Sequence, residues 1–189
     1  MISDEEISRI LNVNYQPPKL SRVALLPAGW ISLGRWSEEL AVATEELEAD
    51  AITTLRTSPY VYDAAFLPSI LIPETRSVPF LREAAARFQA DLLLAYKSGC
   101  RSFEKYRLFR PDTARAYCSV EAVLLDVRTG LVPFTITVTE TYEVSTGAED
   151  MNLRESILKA QLQAMTKAMN DISARTVTFL AESIESGGA

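Results

Sequence analysis

Residues 114–144 read ARAYCSVEAVLLDVRTGLVPFTITVTETYEV, and their side chains alternate with a period of two. The even positions Ala116, Cys118, Val120, Ala122 and Leu124 are apolar, as are Phe134, Ile136, Val138, Tyr142 and Val144, with Glu140 interrupting. The odd positions Thr135, Thr137, Thr139 and Thr141 are all threonine. Successive side chains of a strand point to opposite faces, so the pattern describes a long antiparallel hairpin with one face buried. Opposed residues share a face, so even must pair with even. Placing Val127 opposite Leu131 meets this condition and leaves Arg128-Thr129-Gly130 as the loop, ending in a glycine that tolerates a left-handed backbone. A four-residue loop would pair odd with even and bury the threonines.

Working back toward the amino terminus, Leu92-Leu93-Leu94 reads as a buried strand, and residues 98–112 as its connection to the hairpin. Ser77 and Pro79 precede a helical pattern of Leu81, Ala84, Ala85 and Phe88. Tyr60 to Phe66 is a strand closed by Pro68. Ser37, followed by Glu38 and Glu39, caps a helix that reaches about Arg56 and shows one face of Leu40, Leu47, Ala51 and Leu55. Val23-Ala24-Leu25-Leu26 is a further strand, and residues 3–12 carry Ile7, Ile10 and Leu11 at helical spacing. Toward the carboxyl terminus, Asn152 and Glu155 form a capping box. It opens a helix of about eight turns whose stripe includes Leu158, Leu162, Met165, Met169, Ile172 and Leu180. The expected fold is α/β: a mixed sheet of about five strands with a long antiparallel hairpin, flanked by two helices and a long C-terminal helix. Residues 1–20 form an arm, 21–185 the α/β domain and 186–189 a loose tail.

Composition narrows the chemistry. Apolar residues are 48% and charged residues 23%, a balance that supports a folded core. The net charge of −6 disfavours nucleic acid as a partner of the whole molecule. No apolar run approaches the roughly 20 residues of a membrane span. Met1 is followed by an acidic stretch rather than an export leader, so the chain is either cytoplasmic or has lost its signal. Histidine is absent, which removes Ser-His and Cys-His nucleophile pairs and histidine metal ligands. Two cysteines are too few for a cysteine zinc site, and no glycine pattern fits a phosphate loop. No cofactor is expected.

The element order, with Arg22-Val23-Ala24-Leu25-Leu26-Pro27, Ala90-Asp91-Leu92-Leu93-Leu94 and Leu124-Leu125-Asp126-Val127-Arg128-Thr129-Gly130, resembles a group of bacterial envelope proteins. The group includes the curli-secretion lipoprotein, the lipoprotein activators of penicillin-binding proteins, and the amino-terminal domain of the Tol-system propeller protein. The resemblance implies a periplasmic accessory or scaffolding role, lipid anchorage through a segment outside this sequence, and no catalytic residues. The pore-forming members need long amphipathic insertions, for which the connections at 98–112 and 145–151 are too short.

Candidate sites follow. Arg101, Phe103, Lys105, Tyr106, Arg107, Phe109 and Arg110 make a basic-aromatic segment, against the single acid Glu104, suited to an acidic partner. The bland reading is a solvated hairpin loop. Trp30 and Trp36 are either interface anchors or a half-buried pair capping the core. Cys100 and Cys118 are either a disulfide of an exported protein or two thiols of a cytoplasmic one. Glu121 and Glu140 are strand carboxylates, the latter opposite Cys118 in the expected register. The leading expectation is an envelope domain that binds a protein partner, with a homo-oligomer also open. The alternatives are a carboxylate-dependent hydrolase on cell-wall or other glycans and a cytoplasmic adaptor.

Overall fold

The computed structural model describes residues 3–28, 38–105, 113–145 and 153–186, with side chains for all of these except 38–44, 104–105, 113–114, 144–145 and 153–155. In chain order the elements are α1 (Asp4–Leu11), β1 (Ser21–Pro27), α2 (Glu38–Arg56), β2 (Val61–Phe66), a 3-10 turn (Ser69–Leu71), α3 (Val78–Arg87), β3 (Leu92–Lys105), β4 (Thr113–Asp126), β5 (Phe134–Ser145) and α4 (Leu153–Ser186). The strands form one mixed sheet in the order β2-β1-β3-β4-β5. β1 runs parallel to both β2 and β3, and parallel neighbours need crossovers, which α2 and α3 supply. β3, β4 and β5 are antiparallel, as short connections permit.

Two apolar layers hold the sheet. On one face, α2 and α4 bring Leu47, Leu55, Met165, Met169 and Ile172 onto Val23, Leu25, Leu92, Leu94, Val120 and Leu124. On the other, α3 sets Ala84 and Ala85 against Ala24, Leu26, Leu93 and Leu125. β1 and the start of β3 are buried on both faces, which is why Val23–Leu26 and Leu92–Leu94 are continuous apolar runs. β5 is covered on one face only and alternates instead.

The hairpin register is the one parity requires. Cys118 faces Glu140, Val120 faces Val138 and Leu124 faces Phe134, and the same register carried onward sets Val127 against Leu131. Val138 is buried, Phe134 and Ile136 pack against the core, and Thr135, Thr137 and Thr139 are exposed on the opposite face. Gly130 has φ +78°.

One expectation is corrected. Residues 98–105 are strand rather than connection, since β3 pairs with β4 without a break from Leu92 opposite Asp126 to Lys105 opposite Thr113. Ser98, Cys100 and Ser102 hide the period of two, because this half of the strand is held by its backbone ladder more than by burial of large side chains. The apolar stripe of α4 faces the sheet as expected, and small residues widen its inward surface. Ser156, Ala160, Ala164, Ala168, Ser173 and Thr176 are all buried beside Met165 and Ile172, and small residues let the helix approach closely. At about 50 Å, α4 is long enough to cross the whole sheet.

Candidate partner-binding face

The three short motifs behind the resemblance meet at one end of the sheet. The Arg22 N–H donates to Asp91 Oδ2 and the Asp91 N–H donates to Arg22 O, both at 2.9 Å. The other Asp91 oxygen takes Arg128 Nη2 at 2.6 Å, and the Val127 N–H donates to Asp91 O. The Arg22 guanidinium lies over the Phe88 ring and donates to Asp63 Oδ2 at 2.9 Å, while Arg56 holds Asp63 Oδ1 at 2.6 Å. Arg56 first, then Arg22, keeps the Asp63 carboxyl below its ordinary range, against some opposing desolvation. In the turn, Asp126 Oδ1 accepts from the Thr129 N–H and hydroxyl at 2.7 and 2.9 Å. Arg82 of α3 donates to the Val127 and Arg128 carbonyls. These motifs are therefore a structural clasp, and their charges are spent on one another.

A second set of charged and aromatic side chains lies at the other end. Beyond Ala95 and Val123, no described helix covers the face opposite α4. Backbone pairing lays four rows across it: Lys97-Glu121-Thr137, Gly99-Ser119-Thr139, Arg101-Tyr117-Thr141 and Phe103-Arg115-Glu143. Phe103 is 62% exposed and meets Tyr117 edge to face, with ring centroids 5.7 Å apart. Arg115 is ion-paired with Glu143 across the strands, and the Thr139 hydroxyl donates to Ser119 Oγ at 3.1 Å. Tyr117 and then Glu143 hold Arg115 firmly protonated. Arg101 is exposed in the row of Tyr117, and Lys97 is exposed two rows further along the same face.

Of the residues singled out from sequence, Arg101 and Phe103 stand on this face as strand residues, not on a projecting loop. Lys105 ends β3, and its side chain is outside the described residues, as are Tyr106, Arg107, Phe109, Arg110, Trp30 and Trp36. The structure adds Lys97, Arg115 and Tyr117, which sequence reasoning missed. Their signal was parity, because odd positions of β3 and β4 share the face of the threonine row.

Cys100 and Cys118 are directly opposed on β3 and β4 and form a disulfide on the face beneath α4, with Cα atoms 4.2 Å apart. Cys118 Sγ, which carries no proton in the bridge, contacts Gln161 O at 3.2 Å. Glu121 is exposed on the open face, whereas Glu140 is half-buried on the α4 face opposite Cys118. Two carboxylates on opposite faces of a sheet cannot flank one glycosidic bond. Among the described residues no group of three His, Cys, Asp or Glu side chains could hold a metal ion, and no helix is long and apolar enough to cross a membrane.

No protein-family model and no curated protein matches the sequence. Similar solved structures include the PelC dodecamer from Paraburkholderia phytofirmans, at 15% identity over 85% of this chain and 92% of that one, with a TM-score of 0.43. A putative neuraminyllactose-binding hemagglutinin homolog from Helicobacter pylori matches at 12% identity over 93% and 91%, with a TM-score of 0.48. A minor lipoprotein from Acinetobacter baumannii matches at 9% identity over 89% and 94%, with a TM-score of 0.42. Bacterial lipoproteins thus recur among the similar structures, while the curli-secretion, penicillin-binding-protein-activator and Tol assignments rest on the sequence resemblance alone.

Proposed function

We propose that this chain is a non-catalytic domain of a bacterial cell envelope that binds a protein partner through the open end of its sheet, where Phe103 is the central anchor. The observation carrying this reading is an exposed aromatic pair, Phe103 on Tyr117, with Arg101 opposite Tyr117 and Lys97 further along the same face, which no described helix covers. Aromatic and arginine side chains are the usual anchors of protein interfaces, and flanking charges steer the approach. The basic-aromatic sequence that continues through Tyr106, Arg107, Phe109 and Arg110 extends the same chemistry, and Trp30 and Trp36 are second candidates. A cross-strand disulfide favours an oxidising compartment such as the periplasm over the cytoplasmic adaptor reading. Anchorage would come from a segment outside this sequence.

The test is a paired pull-down from envelope extract with wild-type protein and an Arg101→Ser/Phe103→Ser variant. The reading expects a partner retained by the wild type and lost by the variant, with binding that weakens as salt screens the charges. Recovery of the same partners by both proteins, with the same salt dependence, refutes it.

A further inference from the structure

The amino-terminal arm forms a cleft against the body. α1 is fixed by a complete capping box, in which Ser3 Oγ accepts from the Glu6 N–H and Glu6 Oε2 accepts from the Ser3 N–H. Yet none of its residues is buried, and Ile7, Ile10 and Leu11 all stay at least 40% exposed. The arm is held further along, where the Tyr15 hydroxyl is buried beside Asp126 without a well-formed hydrogen bond. Burial, and then the Asp126 carboxylate, raise this phenol above its ordinary value.

Between α1 and the β4–β5 turn lies a cleft of about 350 Å³. Arg9, Ile10 and Val13 line it from the arm, and Arg82, Thr129 and Leu131 from the body. Its volume is at the small end of the range for ligand sites, about 300–1,000 Å³. The one acid on its wall, Glu6, is engaged in the helix cap. Arg82 commits Nε and Nη2 to the turn carbonyls, and its Nη1 has no hydrogen bond among the described residues. Arg9 has no ion pair among them either. Two arginines lining one cleft with isoleucine, valine and leucine match a molecule with an anionic head and a short hydrocarbon chain.

We propose that this cleft binds an anionic amphiphile, a carboxylate or phosphate head with a short alkyl tail, and that its occupant seats α1 on the body. The head would pair with Arg9 and Arg82, and the tail would cover Ile10, Val13 and Leu131. This site is separate from the open sheet face and stands independently of it.

The experiment is calorimetric titration of the whole chain with decanoate below its micellar concentration, with methyl NMR following Ile10, Val13 and Leu131. Acetate and inorganic phosphate test the head alone, decanol the tail alone, and vesicles of anionic phospholipid a membrane source. The expected result is saturable one-site binding of decanoate with shifts at those three methyl groups. Acetate, phosphate and decanol should bind far more weakly. Arg9→Gln and Ile10→Ser, both exposed positions outside the core, should each weaken binding by at least about fivefold. Ile70→Ser, at a more exposed apolar position remote in sequence from the cleft, should not. Decanoate that fails to bind, or that binds equally to Arg9→Gln and Ile10→Ser, overturns the proposal. So does decanol or acetate binding as tightly as decanoate, or binding to vesicles alone, since a surface and not the cleft would then be the site.

Discussion

At Gly130 a side chain would meet two obstacles. The backbone sits at φ +78°, and a Cβ there would stand 3.0–3.2 Å from the Arg82 guanidinium, which closes the turn. Gly130→Ala should therefore destabilise the fold by about 1 kcal/mol or more, read from the midpoint of chemical unfolding. An unchanged midpoint would mean that the turn relaxes freely. The need for glycine here was legible from parity alone. The Arg82 contact was not, because a side chain reaching from α3 leaves no local periodicity in the sequence. Phe103 makes the opposite case. Replacing it by serine should leave stability nearly unchanged, since the ring is mostly exposed, while weakening partner capture. A large loss of thermal stability in Phe103→Ser would assign the ring to the fold instead.

Among the elements, β3 shows where reading from sequence stops. Its first half is apolar on both faces and was plain, but Ser98 to Lys105 carries neither pattern, and only its ladder with β4 reveals it as strand. The disulfide lies within that ladder, closing a loop across a sequence separation of 18. Constraint of the unfolded chain by such a loop contributes roughly 3 kcal/mol. Reduction should lower the unfolding midpoint accordingly, and denatured protein from the periplasm should show no reactive thiol without reductant. Two reactive thiols would dismiss the bridge. In α4 the large apolar stripe was visible, whereas the buried alanines were not, because alanine suits any helix position. Ala164→Leu should cost roughly 1–3 kcal/mol by overpacking against the sheet, despite similar helix propensity. Unaltered stability would show room between α4 and β4.

Among the described residues, ion pairs cluster at the end of the sheet where Arg22, Asp63, Asp91 and Arg128 meet. The clasp of Arg22, Asp63, Asp91 and Arg128 is internally paired, so its pH response is one of folding. Asp63 has a folded value below its ordinary 3.8, so its stabilising effect is present above about pH 4 and is lost as pH falls through the lower folded value. Asp63→Asn should flatten that acid limb of stability in a pH series of unfolding curves. Glu48 acts in the opposite sense. Burial, with Glu45 nearby, raises its carboxyl, so its ionisation disfavours the folded state as pH rises through that higher value. Glu48→Gln should therefore add stability at neutral pH, and a loss there would contradict this sign. The overall layering was legible because periodicity and strand order suffice for it. Which half of the sheet no described helix covers was not, since that depends on how far α3 reaches across the hairpin.

The most direct measurement places a photo-crosslinking amino acid at position 103, or at the similarly exposed Tyr62 on β2, in protein expressed in a bacterial envelope. Binding through the open sheet end predicts a discrete crosslinked species from position 103, diminished by Arg101→Ser and absent from position 62. Equal crosslinking from both positions, or from position 62 alone, would contradict it.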